Sequence, residues 1–284
     1  MDLGLTIFLT DQTIGPVELA REAEERGFTS LWLPEHTHIP TSRRTPAPMG
    51  EPLPEEYRRC LDPFVAMAQM TAVTERLRVG TGIALLAQRD PIVTAKEVAT
   101  LDHCSGGRFR LGVGYGWNLE ELEDHGGSKV TRRAVVRERV LAMQALWAHE
   151  EAGFDGEHVQ FGPSWAWPKP AQEVRGRAGV PVYVGGAAGP TLFTHIAEYA
   201  DGWLPIGGRG VTGAVAELRT AFEAAGRDPG DAQVIPFGTE PTEGKLDHYA
   251  TLGVTETVCR LPSAGRDEVL GVLDAYQPFL DRSQ

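Results

Sequence analysis

The chain has few cysteines, no long apolar run and no excess of basic charge, and each lack removes a class of protein. Its three cysteines, Cys60, Cys104 and Cys259, are far apart and include no CxxC pair. Neither a disulfide framework nor a zinc site of familiar spacing is supported. No apolar stretch approaches the roughly 20 residues needed to cross a bilayer. The N-terminus lacks the basic segment and apolar run of a secretion signal. Lys and Arg number 27 against 39 Asp and Glu, a net charge of −12, so the clustered basic face of a nucleic-acid binder is not expected. Two further patterns are missing. No Gly-x-Gly-x-x-Gly follows the first apolar segment, and no Gly-Lys-Ser/Thr closes a glycine-rich loop, which argues against a dinucleotide domain there and against a P-loop. These absences lead to the expectation of a reduced, cytoplasmic, soluble protein that meets neither membrane nor nucleic acid.

What is present is alternation. Short apolar segments are spaced by helical patterns along all 284 residues. Strands are expected at Leu3–Leu9, Phe28–Leu33, Leu77–Leu86, Phe109–Val113, Val180–Val184, Gly202–Pro205, Gln233–Phe237 and Glu256–Arg260. Helical spacing follows each, beginning with Pro16–Arg26, which has proline at its start and Gly27 at its stop. Such a series at this length predicts an α/β fold, a (β/α)8 TIM barrel, with an open doubly wound sheet as the alternative. Residues 37–60 and 154–178 keep no period and read as two insertions at the C-terminal face, within one domain spanning 1–284.

In such a barrel the chemistry sits at the C-terminal strand tips. Glu35, His36 and His38 follow the second strand, and Thr81, Gly82 and Ile83 end the third. Gly114, Tyr115, Gly116, Trp117 and Asn118 follow the fourth, Gly185, Gly186, Ala187 and Thr191 the fifth, and Gly207-Gly208-Arg209 the sixth. Glycines at these tips allow close approach of a flat ligand, or simply make the turns. The run from Gly185 to Thr191 is either an anion site at a helix start or a tight connection. His36 beside Glu35 is either an acid–base group or a loop histidine bonded to backbone. The pair His36 and His38 lacks a third ligand at recognisable spacing, so no metal is expected. Tyr115 and Trp117 either flank a planar ring or plug the mouth. Trp165 and Trp167 either roof an apolar substrate or pack an insertion. Arg43, Arg44, Arg58 and Arg59 either meet an anionic tail or remain solvated.

Several separated segments resemble one family. TAKEVATLDHCSGGRFRLGVGYGWNLEELEDHG (Thr94 to Gly126) is similar to the central signature of the bacterial luciferase-like flavin and deazaflavin oxidoreductases. LWLPEH, RVGTGIALLAQRDP and VPVYVGGAAGPT resemble its other landmarks, in order. The GVGxGWN form resembles the branch that uses coenzyme F420, with FMN as the alternative. The resemblance implies a small-molecule oxidoreductase, a hydride transferase with F420 or a monooxygenase with FMN, and a homodimer. A flavin- or deazaflavin-binding barrel without chemistry is the third possibility. It implies a ring in the barrel mouth, a non-proline cis peptide at Gly82-Ile83 behind it, and a phosphate on Gly185, Gly186 and the helix near Thr191. His36 would be the proton donor or acceptor, with Glu35 at its side. Some relatives carry a glutamate where Trp117 stands, so the sugar-phosphate-oxidising version of the chemistry is not implied.

Overall fold

The alternation becomes structure in the expected order. A computed structural model describes residues 1–48, 50–208 and 210–283; Met49, Arg209 and Gln284 lie outside the described residues. The first part of the chain forms β1 (Asp2–Thr6), α1 (Pro16–Arg26), β2 (Ser30–Leu33), α2 (Pro63–Thr71), β3 (Arg78–Thr81), α3 (Pro91–Ser105), β4 (Phe109–Val113), α4 (Leu119–Asp124) and α5 (Arg132–Ala148). Two short antiparallel pairs follow, β5 (Glu151–Asp155) with β6 (Gln160–Trp165) and β7 (Glu173–Val174) with β8 (Arg177–Ala178). The chain ends with β9 (Val182–Gly185), α6 (Pro190–Tyr199), β10 (Gly202–Leu204), α7 (Val211–Ala224), β11 (Gln233–Val234), β12 (Phe237–Thr239), α8 (Glu243–Thr251), β13 (Glu256–Arg260) and α9 (Arg266–Tyr276). Among the described residues no helix is long and apolar enough to cross a membrane.

Nine strands make one parallel sheet in the order β11-β10-β9-β4-β3-β2-β1-β13-β12. The sheet is curled, and its two terminal strands are neighbours in sequence. Ile235 N–H donates to Trp203 O at 3.0 Å on one side, and Val258 N–H donates to Pro236 O at 2.9 Å on the other. The curl is consistent with the expected barrel. The expected seventh strand is divided at Ile235-Pro236, because a proline has no N–H to give a ladder. Inside the curl Trp32, Tyr183, Leu204, Ile235, Phe237 and Val258 pack together, with Ile83 against them. Below them Glu256 accepts from Ser30 at 2.5 Å and pairs with Arg110, so the charge buried there is compensated.

Residues 154–178 differ from expectation on two points. They are ordered hairpins rather than an irregular stretch. They also leave the C-terminal end of α5, which lies on the N-terminal side of the sheet. Ala171 and Gln172 donate their N–H groups to Asp102 at the end of α3, at 2.8 and 3.1 Å. The Gln172 amide reaches the carbonyl of Phe109, the first residue of β4, at 2.7 Å. A helix running antiparallel to its strand ends where the next strand begins, so this segment starts and ends away from the strand tips, while the tip of the β5–β6 hairpin turns back along α5, where Glu138 holds residues 157–159 and His158 comes beside Thr131 and Arg132. Trp165 and Trp167 are exposed on the outer surface and do not roof the mouth. Residues 37–60, by contrast, leave the C-terminal tip of β2 as expected.

The strand tips build a floor. The peptide Gly82-Ile83 is cis, at the position the resemblance implied. Ile83 is half-buried, and its side chain lies against the tips of β4 and β9. A Cβ on Gly114 would stand 1.8 Å from Ile83 Cδ1, one on Gly185 3.0 Å from Ile83 Cγ2, and one on Gly82 2.2 Å from Phe237 Cζ. Glycine at these tips therefore makes room for protein side chains, which then form the surface presented to the mouth. We expect Gly114→Ala to cost about 1–3 kcal/mol of unfolding free energy by overpacking, and Gly114→Ala with Ile83→Ala to recover part of it. Urea denaturation of the singles and the double reads this coupling.

Candidate active site

His36 stands just beyond the tip of β2. Its Nδ1 lies 2.7 Å from Oε2 of Glu121 in α4, and both side chains are buried. The other carboxylate oxygen of Glu121 accepts the Thr37 N–H at 3.1 Å. Glu121 reaches this place because Asn118 caps α4, its side chain accepting from Glu121 N–H. A carboxylate on Nδ1 fixes the ring's orientation and holds a proton on that atom, leaving Nε2 for exchange with a ligand.

Glu35, next to His36, is differently engaged. Its carboxylate accepts the Leu85 N–H at 2.7 Å and pairs with Arg89 at 2.6 Å. Arg89 also meets Glu97 at 2.8 Å and Asp62 at 3.2 Å. Glu35 was expected as a catalytic residue at the side of His36; with both oxygens bonded, it ties β2 to the segment after β3 instead of meeting the imidazole.

The two aromatic residues after β4 diverge. Trp117 meets the edge of His36 at 5.8 Å and of Tyr57 at 6.1 Å, and the Arg43 guanidinium lies 5.8 Å from its ring. Tyr115 turns toward α6, where its hydroxyl lies 3.0 Å from His195 Nδ1 and 3.4 Å from the Tyr199 hydroxyl. Arg133 covers the Tyr115 ring at 5.4 Å. Burial pulls His195 below the ordinary imidazole value, against the pull of Glu198. The two rings therefore pack against different neighbours, Trp117 on His36 and Tyr57, and Tyr115 on α6. Thr81 is corrected as well. It is fully buried and its hydroxyl donates to Gly112 O at 2.7 Å, so it holds β3 to β4 and offers nothing to a ligand.

The loop from β2 is fastened to α4. Arg44 N–H donates to Glu120 Oε1 at 2.6 Å, the Arg44 side chain at 3.0 Å and Thr45 N–H at 3.3 Å. The Cys60 thiol donates to the His36 carbonyl at 3.2 Å, and burial pushes it up to about 11, so it is no nucleophile at neutral pH. Arg43, Arg58 and Arg59 pair with Glu51, Glu55 and Asp11. Those arginines serve the loop's own order.

The start of α6 is the best seat for an anion. Gly185, Gly186 and Ala187 lead into Gly189, which caps the helix without a side-chain bond, and the first turn holds no acidic residue. Ala187 and Thr191 are exposed there. Trp203 Nε1 occupies the Gly186 carbonyl at 2.9 Å. Uncapped N–H groups, small residues and the helix dipole fit a phosphate. The Ile83 floor fits a flat ring above it. The chain therefore fits a phosphate-bearing flavin or deazaflavin.

Sequence reasoning singled out His36, Ile83, Trp117 and the α6 start and passed over Glu120 and Glu121, which the structure brings to the loop from β2 and to His36. The signal was there: Asn118 three residues before Glu121 is a capping pattern that points that carboxylate back over the strand tips. Arg209 lies outside the described residues. Among the described residues no group of three or more His, Cys, Asp or Glu could hold a metal ion.

With this geometry in place, the likenesses to known proteins can be weighed. A model of luciferase-like monooxygenases matches residues 15–239. The chain belongs to the luciferase-like monooxygenase family. It is 44% identical to an uncharacterized protein of Mycobacterium tuberculosis over 278 residues, 96% of each chain. It is 28% identical to the F420-dependent glucose-6-phosphate dehydrogenase of Kineococcus radiotolerans over 220 residues, 75% of this chain and 59% of that one. Among solved structures, a monooxygenase from Streptomyces bottropensis superposes with a TM-score of 0.78 at 20% identity, covering 99% of both chains. An F420-dependent secondary alcohol dehydrogenase bound to an F420–acetone adduct superposes at 0.76 with 17% identity, covering 100% of both.

The Glu120 anchor has a pH signature. Burial alone would raise this carboxyl, but hydrogen bonds from Thr45 and Arg44 bring it down to about 2 from an ordinary 4.5. A depressed carboxyl stabilises above its unfolded value and loses that contribution as pH falls. The tie between residues 44–45 and α4 should be complete above about pH 4.5 and released toward pH 2. The Arg44 amide resonance should titrate with that low midpoint, and Glu120→Gln should abolish the titration.

Proposed function

We propose that this chain is an F420-dependent oxidoreductase, which passes a hydride between the deazaflavin and a small organic substrate at the mouth of a (β/α)8 barrel. Residues 1–284 are read as one luciferase-like domain, cytoplasmic and homodimeric. The observation that carries the reading is the buried His36–Glu121 pair at the edge of the Ile83 floor. When bound, the deazaflavin supplies the carbon that accepts or gives hydride. The chain's residues do the rest. Gly185, Gly186, Ala187 and Thr191 hold the phosphate. Ile83, Gly114, Tyr115, Gly116 and Trp117 border the ring, with Gly82 shaping the floor from below. Glu121 keeps the Nδ1 proton of His36 in place, and Nε2 gives or takes the proton that accompanies hydride movement at the substrate. Trp117 and Tyr57 keep bulk water from that nitrogen.

A second reading, an FMN-dependent monooxygenase, is favoured by the family's general description and by the likeness to the Streptomyces bottropensis monooxygenase. Titrating the purified chain with each cofactor while following fluorescence quenching separates them. Quenching by F420 at low concentration is expected; tight binding of FMN with none of F420 would reject the proposal. His36→Ala should lower turnover by about 10²–10⁴ while leaving cofactor affinity nearly intact. Glu121→Gln should lower turnover by a smaller factor and move the pH profile of kcat. Unchanged turnover in His36→Ala would leave only a binding role.

A further inference from the structure

Between the end of α4, the first turns of α5 and the tip of the β5–β6 hairpin is a polar cavity of about 200 Å³. Its wall includes Arg132, Arg139, His125, His158, Ser128 and Thr131. None of them belongs to the proposed cofactor seat. The cavity concentrates positive charge in a chain of net charge −12. Among the described residues neither Arg132 nor Arg139 pairs with a carboxylate. Arg132 donates to Gly116 O at 2.5 Å and Arg139 to Leu86 O at 2.6 Å. The Nε of Arg139 is buried without any partner. The neighbouring acids bond to backbone N–H groups rather than to either guanidinium, although the Asp90 charge still acts on Arg139. Glu138 accepts the N–H groups of Glu157, His158 and Val159, at 3.0, 2.7 and 3.0 Å. Asp90 caps α3 through Ile92 and Val93, at 2.9 Å each. A partly buried guanidinium with no carboxylate bonded to it is costly, and an anion in contact with it offsets that cost.

The directions of the donors agree. α5 is 17 residues long and Thr131 precedes it without a side-chain cap; the Arg132 N–H already donates to Ser128 O at 2.9 Å, so it is chiefly the helix dipole that acts beside the cavity. The carbonyls of Gly116 and Leu86 hold both guanidiniums in place before any ligand arrives, which lowers the entropy cost of binding. The cavity has room for one tetrahedral oxyanion together with residual water.

We propose that this cavity is a binding site for a small phosphate dianion, held by Arg132, Arg139 and the start of α5 and separate from the α6 seat. The source is either free inorganic phosphate or the phosphoryl group of a small ester.

The test uses the whole chain in a buffer without oxyanions. Inorganic phosphate should raise Tm saturably, beyond the change given by sodium chloride at equal ionic strength, and give a one-site isotherm in calorimetry. Glycerol phosphate, as a small ester, should compete if the natural occupant is an ester and fail if it is free phosphate; either result keeps the site. Arg139→Gln should weaken phosphate binding at least tenfold. Arg137→Gln, on the same helix but paired with Glu198, should not. Thr131→Asp guards against a misfolded Arg139→Gln: a carboxylate at the start of α5 suits the helix dipole, and it should raise Tm without phosphate and abolish the phosphate response. Ala188→Glu, which blocks the α6 seat, should leave phosphate binding intact. The proposal is overturned if phosphate does no more than chloride, if binding survives both Arg139→Gln and Thr131→Asp, or if Ala188→Glu alone removes it.

Discussion

Ile83 has a place to sit only because the neighbouring strand tips carry no Cβ. Gly114 and Gly185 admit its side chain, and Gly82 admits Phe237 beside it. Phe237 belongs to β12, the strand at one end of the sheet order. The floor of the mouth and the curl of the sheet are thus one packing arrangement. The same floor is tied to His36 from two directions. Glu35 holds the segment after Ile83 through Leu85 and Arg89. Glu121 holds the imidazole itself. A functional group placed by a rigid floor and a second layer of hydrogen bonds keeps the precision that catalysis needs.

The chain's acidity has a structural use beyond solubility. Several of its carboxylates lie in the interior or at its edge and accept backbone N–H groups from distant segments. Glu24 in α1 takes those of Glu75, Arg76 and Leu77. Asp102 in α3 takes those of Ala171 and Gln172. Glu138 in α5 takes those at the tip of the β5–β6 hairpin. Glu120 and Glu121 in α4 do the same for the loop from β2. In each case a helix carboxylate staples a loop that has little apolar surface of its own. Buried acceptors of this kind satisfy N–H groups that would otherwise be stranded. Some cations serve the backbone in the same way: Arg108 donates to the carbonyls of Ser105, Leu77, Thr71 and Thr74, and Arg132 and Arg139 donate to those of Gly116 and Leu86.

Much of the architecture could be read in advance. The bounds of α1, β4 and β13 coincide with their apolar periods and their proline and glycine punctuation. These are local signals, so they survive without tertiary context. The candidate site was legible where it lay in a glycine-bearing tip or a helix start. It was not legible where a role depends on a partner remote in sequence. Glu35 and Glu121 are both acids near His36, one adjacent and the other 85 residues away, and only their neighbours tell them apart. Arg89 neutralises the first, while the second faces the imidazole. The side of the sheet on which residues 154–178 lie was open to inference from helix direction, yet their glycines and prolines hid the hairpins.

By itself the sequence determined the order and length of the elements, the glycines at the strand tips and the uncapped start of α6. Each follows from backbone sterics or periodicity within a few residues. Only the tertiary structure decided that those glycines admit Ile83 and Phe237, that Thr81 spends its hydroxyl inside the sheet, and that Glu121 rather than Glu35 serves His36. Those outcomes depend on which atoms meet across dozens of residues, and packing and charge compensation act on distance in space, not on distance along the chain.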